Sequence, residues 1–249
     1  QTAPGSGSSQ GGSTPGSGGS GGSTPSSFSL LPSFQLTPDG EEYELPIQLL
    51  LVLTILSLAP AIIILMTSFT RLVVVLSILR TALGTQQAPP NQVIIGLSLF
   101  LTLFTMYPVF NTIHDNAVKP YMEGEIGQQV ATSQAVDPLK RFMSEQTREK
   151  DLLLFMDLAD RDGFQNAADI PLHIIVPAFV ISELRIAFQI GFMLFLPFLI
   201  IDLVVASILM SMGMMMLPPV IISLPIKLLL FVLTDGWYLI VESLLRSYL

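Results

Sequence analysis

Cysteine is absent from the 249 residues. That removes a disulfide framework, a thiolate metal site and a cysteine nucleophile from consideration. Histidine occurs only twice, at His114 and His173, too far apart in sequence to build a histidine metal cluster. No Gly-rich phosphate loop and no serine–histidine–acid arrangement can be assembled, so no catalytic residue, metal or cofactor is indicated. Charge is also scarce. Charged residues make up 12% of the chain, about half the share of an ordinary globular domain. The 11 Lys and Arg are outnumbered by 19 Asp and Glu, a net charge of -8, which argues against the basic face that nucleic-acid binding needs. What remains is apolar: 51% hydrophobic residues and a mean hydropathy of +0.65. This composition belongs to the membrane class.

The first residue is Gln rather than Met. The expectation is a mature chain whose signal peptide has been removed, a shortened chain being the plainer alternative. A removed signal would put residue 1 outside the cytoplasm. Residues 1–27 contain only Gln, Thr, Ala, Pro, Gly and Ser, with GGSTP at Gly11–Pro15 and again at Gly21–Pro25. Such a stretch has nothing to bury, so 1–44 is expected to be a disordered tail ending in an acidic linker (Asp39, Glu41, Glu42, Glu44).

Four apolar segments follow, all but unbroken by charge at first and then not. Leu45–Met66 reaches the ~20 residues that cross a bilayer, with a kink expected at Pro60. Residues 67–91 carry Arg71 and Arg80 and no acid, which by the positive-inside rule places them in the cytoplasm. Leu72, Val75, Leu76 and Leu79 mark an amphipathic helix with the arginines off its apolar face. Val93–Ile113 is the second apolar segment, and His114 marks its exit to water. Residues 114–171 are polar, and Asp137-Pro138 reads as an N-cap and first-turn proline opening a helix to about Asp160. Its apolar stripe (Leu139, Phe142, Met143, then Leu152–Leu158) suits packing on its own chain or a subunit contact equally. The third segment, from Pro171, is too long for one span and reads as two helical pieces joined near Gln189-Ile190-Gly191. The fourth, Pro218–Leu245, ends near Trp237 and Tyr238, an interfacial anchor. The fold class is all-α: proline-kinked, membrane-associated helical hairpins. Prolines and charges inside apolar helices imply burial in protein rather than lipid.

The deepest opposite charges are Asp202 and Lys227. Counted as continuous helix at 1.5 Å per residue, they lie ~24 and ~12 Å from Pro218-Pro219, so a straight hairpin leaves them about 12 Å apart in height. A bent helix or a neighbouring subunit would close the gap. The pair could be structural or part of a proton relay. Glu183 and Arg185 are two apart, so they point to different sides of a helix and seek separate partners. The methionines at 210, 212, 214, 215 and 216 admit three readings: core filler, a thioether copper site or a pliable seal.

PAFVISELRIAFQIGF (Pro177–Phe192) and PFLIIDLVVASILMSMGMMM (Pro197–Met216) resemble the two signature motifs of the FliP/SctR family of type III secretion export-gate proteins. Met66–Val93 is similar to that family as well, and the resemblance runs from about Ile47 to Leu249; the Ser/Gly-rich tail is unlike a typical member. The resemblance implies a non-enzymatic subunit of the gate through which unfolded substrates cross the bacterial inner membrane. It implies five copies in a ring or shallow helix, FliQ-like and FliR-like partners, and FlhB-like and FlhA-like proteins in the wider apparatus. It implies a complex set in the basal body, largely above the membrane plane. By motif, Met212, Met214, Met215 and Met216 would form a gasket. Asp202, Lys227, Glu183 and Arg185 would be buried charges or subunit contacts. The stretch Gly124–Phe155 favours the flagellar over the virulence branch. The alternatives are a virulence-type homologue, an ion or metal transporter, and a scaffold whose pore is made by other subunits.

Overall fold

The computed structural model describes residues 44–85, 87–159, 169–214 and 216–248. The chain separates into two units, 1–49 and 50–249, and the second is the one considered below. The expected disordered tail lies, apart from Glu44, outside the described residues.

Among the described residues the fold is all-helical. The elements in order are α1 (Glu44–Leu65), α2 (Phe69–Leu83), α3 (Asn91–Ile113), a π-helical turn (His114–Val118), α4 (Lys119–Met122), α5 (Gln128–Gln146), α6 (Glu149–Leu158), α7 (Leu172–Ser211), α8 (Pro219–Leu233) and α9 (Gly236–Arg246). Two helical stretches are long and apolar enough to cross a membrane: Asn91–Met122 and Leu172–Ser211. The pair α8 and α9, bent by 65° between them, makes a third if taken together. The apolar part of α1 is shorter, Leu49–Ile62.

The central element is α7. It is one helix of 40 residues, about 60 Å long and twice the ~30 Å of a bilayer's hydrocarbon core. The expected joint near Gly191 does not exist. Pro177 and Pro197 lie within the helix, each removing one backbone donor without stopping it. Gly191 serves a different end: a Cβ there would collide with Ile78 of α2. The glycine is a crossing point where α2 and α7 approach closely, which explains why α2 packs more extensively on α7 than on any other element.

Two apolar cores flank this crossing. One joins Leu72, Val75, Leu76 and Leu79 of α2 to Ile94, Ala187, Phe198, Phe231 and Leu244. The other joins Met66, at the turn between α1 and α2, to Met106, Phe142, Met143, Met156, Ile174 and Phe179. Fully burying a side chain of this kind contributes roughly 1.5–3 kcal/mol, so the two cores hold α2, α3 and α7 together. The second core answers the question about α5 and α6: Phe142, Met143 and Met156 pack on their own chain. Leu153, Leu154 and Leu158 stay at least half exposed.

Several local expectations are revised. The helix around Pro138 begins at Gln128, so Asp137 is no N-cap and Pro138 lies inside it. The break falls instead at Thr147-Arg148, both extended. There Ser182 accepts the backbone N–H of Arg148 at 3.1 Å, a tertiary contact that no local pattern announces. The segment 67–91 contains the expected amphipathic helix, α2. Its start shares a core with Met106 and Phe142, and Gly84, just past the end of α2, lies beside Val220 of α8. Helix α2 thus runs from the polar helical end of the fold to the methionine-loop end. Gly84 closes α2 at φ 75, a left-handed conformation that glycine adopts without steric cost.

Candidate functional site

Three features carry the site: two ion pairs at opposite ends of α2, and the loop between α7 and α8.

The first pair was half seen in the sequence. Glu183 is fully buried, and its partner is Arg71, with only 1% of its side chain exposed. Arg71 sits four residues before Val75 and three after Ser68, on the buried stripe of α2 rather than off it. Its guanidinium Nε donates to Glu183 Oε2 at 3.0 Å and Nη2 donates to Oε1, the two-pronged geometry that suits arginine to a carboxylate. The same Nη2 donates to Gln146 Oε1 at 3.2 Å. Nη1 donates to the backbone oxygen of Ser247 at 3.1 Å and to its Oγ at 2.9 Å. The Tyr248 ring covers the guanidinium 3.9 Å away, a cation–π contact, and its hydroxyl donates to Glu183 Oε2 at 2.8 Å. Burial, with the Glu183 charge adding to it, holds the Tyr248 phenol well above the usual tyrosine range. It therefore stays a proton donor across physiological pH.

The second pair is Asp202 and Lys227. Lys227 Nζ donates to Asp202 Oδ2 at 2.6 Å and to the backbone oxygen of Ala82 at 3.1 Å. Ser223 Oγ donates to the other carboxylate oxygen, Oδ1. The contact lies within one chain, and the expected 12 Å mismatch vanishes for a simple reason. Helix α7 stops at Ser211 and α8 starts at Pro219. Asp202 is thus 211 − 202 = 9 residues from its helix end and Lys227 is 227 − 219 = 8 from its own. The connection 212–218 absorbs the rest. Ala82 is next to last in α2, where carbonyls lack helical partners and the helix dipole favours a cation. Lys227 caps α2 while pairing with α7.

Arg185 is not a buried charge. Two residues beyond Glu183, it turns to the other side of α7, is 46% exposed and lies 3.9 Å from Asp151. An open pair at that distance contributes at most about 1 kcal/mol. Asp151 itself is buried and accepts from Ser182 Oγ at 2.8 Å. His114 is exposed, although it opens the π-helical turn that carries α3 on into α4 rather than a helix exit.

The loop after α7 presents methionine to its surroundings. Met212, Met214 and Met216 are 67%, 43% and 98% exposed; Met215 lies outside the described residues. Gly213 has φ 74, so the chain leaves α7 through a left-handed turn. Beside it, α7 keeps an uncovered apolar face that includes Ile200, Leu203, Val204 and Ile208. Sequence reasoning found Asp202, Lys227, Glu183 and the methionines. It missed Arg71, whose signal was its spacing from Val75, and Tyr248, for which no local signal exists.

The FliP family model matches residues 52–244. "Flagellar biosynthetic protein FliP" of Bacillus subtilis (strain 168) is 61% identical over 210 residues, 84% of this chain and 95% of that protein. The protein of the same name from Pectobacterium carotovorum subsp. carotovorum is 52% identical over 227 residues, 90% of this chain and 88% of its own length. That from Aquifex aeolicus (strain VF5) is 52% identical over 223 residues, 89% and 93% of the two chains. With the family model covering most of its length, and relatives this similar matched over nearly their whole extent, the chain belongs to the FliP family.

Proposed function

We propose that the chain is a core subunit of the flagellar type III export gate, a non-enzymatic part of the apparatus in the bacterial inner membrane and basal body. Several copies, five by family resemblance, assemble with FliQ-like and FliR-like subunits, next to FlhB-like and FlhA-like proteins. Unfolded flagellar proteins pass through the pore they enclose. Family membership supports flagellar biosynthesis as the setting, and the relatives bear flagellar names. The observation that carries the pore reading is the exposed methionine loop at the end of α7, adjoining an apolar face that a single chain leaves bare. An unbranched thioether side chain re-packs around varied partners. Met212, Met214, Met215 and Met216 therefore form a gasket that closes on itself when empty and yields to a passing chain.

Residues 114–171 are read as extracytoplasmic, as is the N-terminus. The turn between α1 and α2 shares a core with Met106 and Phe142, so it belongs to the same end as that polar region. Both assignments then hold together only if α1 does not cross the membrane as a separate straight span. A transporter reading gains nothing from the site, because both Asp202 oxygens are engaged, by Lys227 and Ser223.

The test is electrical. Deleting Met214–Met216 raises the ion leak of the membrane-embedded complex while the complex still assembles. Unchanged conductance contradicts the gasket.

A further inference from the structure

The described chain finishes with two residues that do more than follow a helix. Ser247 supplies both acceptors of Arg71 Nη1. Tyr248 lays its ring over the guanidinium and donates to Glu183 Oε2. Its hydroxyl also lies 3.2 Å from the backbone oxygen of Ser68, a second acceptor at the start of α2. The ring also stacks on Phe142 of α5, centroids 6.2 Å apart. One dipeptide thus touches α2, α5 and α7 at the place where the most deeply buried charges of the fold meet. Without it, one edge of the Arg71 guanidinium loses both its acceptors, and the pair opens to water.

The element that delivers this dipeptide is otherwise held along one face, by Ile240 and Leu244 in the core and Trp237 edge-on to Phe231. Helix α9 buries a single stripe, Gly236, Ile240 and Leu244, and leaves Trp237, Tyr238 and Leu239 exposed. It meets α8 at a bend of 65°. The bend residue Asp235 has φ 51 and ψ 50, a left-handed conformation uncommon outside glycine that aspartate is among the few residues to tolerate. Beyond the bend, α8 is fixed independently by Lys227 to Asp202 and Ala82. A helix held along one stripe lies between a sharp bend and a dense polar cluster.

We propose that Ser247 and Tyr248 form a clasp that fastens α9 to the Arg71–Glu183 pair, and that opening the clasp frees α9 about the Asp235 hinge while α8 stays docked through Lys227. The device lets one end of the α8–α9 pair move without disturbing the methionine-loop end.

The test uses the full chain in membranes, where the absence of native cysteine makes thiol labelling clean. One reporter, Leu244→Cys, sits on the buried face of α9; the other, Val205→Cys, sits in α7 near Asp202. Tyr248→Ala raises maleimide labelling at position 244 by more than about tenfold, because it removes both the ring over the guanidinium and a hydrogen bond to a charged group, the latter alone changing an opening equilibrium by about tenfold. Labelling at position 205 stays at the parent level. Tyr248→Phe keeps the ring over the guanidinium, loses the hydroxyl, and gives a smaller rise at 244 alone. Should Tyr248→Ala not accumulate, Tyr248→Phe decides by the same pattern. No rise at 244 overturns the clasp. An equal rise at both reporters also overturns it, because Tyr248 would then support the whole fold rather than one helix.

Discussion

Arg71–Glu183 and Lys227–Asp202 stand 11 residues apart along α2, about 16 Å, and they solve one problem in two ways. At the first, both side chains are sealed, 1% and 0% exposed. The arginine's planar fork meets two carboxylate oxygens at once and has donors left for Gln146 and Ser247. At the second, Lys227 is 2% exposed but Asp202 is 22%, and the carboxylate needs Ser223 as well as the ammonium. A lysine offers a point charge, so its surplus donor goes to a backbone carbonyl at the end of α2. The dry pair demands the residue with fixed geometry; the half-open pair tolerates the flexible one. Both pairs join α2 to α7, and the second also joins α8.

If enclosure sets the cost of breaking each pair, the effects are ordered. Glu183→Ala strands Arg71 in a dry site and should cost the most, about 3–5 kcal/mol, read as loss of unfolding stability in detergent. Arg71→Lys is not a rescue, since it gives up the two-pronged contact. Asp202→Ala comes second, at about 2–3 kcal/mol, because solvent already reaches that side and Lys227 keeps Ala82. A greater loss at Asp202 than at Glu183 would reverse the comparison. The exchange Asp202→Lys with Lys227→Asp sharpens it. An aspartate at 227 would face the carbonyl end of α2, so the double variant recovers only part of what the single variants lose. Full recovery would deny Lys227 its capping role. Glu242→Ala is the smallest change. It removes an exposed i,i+4 pair with Arg246 and shifts stability by no more than about 0.5 kcal/mol.

Much of this was legible in the residues. The apolar segments, the acids at 183 and 202 inside them, and the methionine loop follow from composition and spacing. Asp202 and Lys227 were seen as a pair, but counting helix up to Pro218 misjudged their heights, because it passed over Gly213, whose left-handed turn ends α7 at Ser211. The joint inferred at Gly191 shows the opposite limit. A glycine between prolines reads as a break, yet here it lets Ile78 of α2 press against α7. Pro138 was read as a start because proline favours the first turn, while tertiary contacts with α7 and the π-helical turn hold α5 through it. Arg71 could have been found by extending the Val75–Leu79 register back four residues. Tyr248 could not, since its partners lie 180 and 65 residues away.

The exposed methionines and the buried charges divide the labour proposed for this chain: the charges hold the helices fixed so that the loop alone can yield. Crosslinking asks this of the loop directly. A single cysteine at position 214, in a cell exporting a stalled flagellar substrate, forms an adduct with the substrate chain if the loop lines the passage. An assembled, export-competent complex that gives no adduct at 214, while a partner subunit does crosslink, would make this chain a scaffold around a pore built by others.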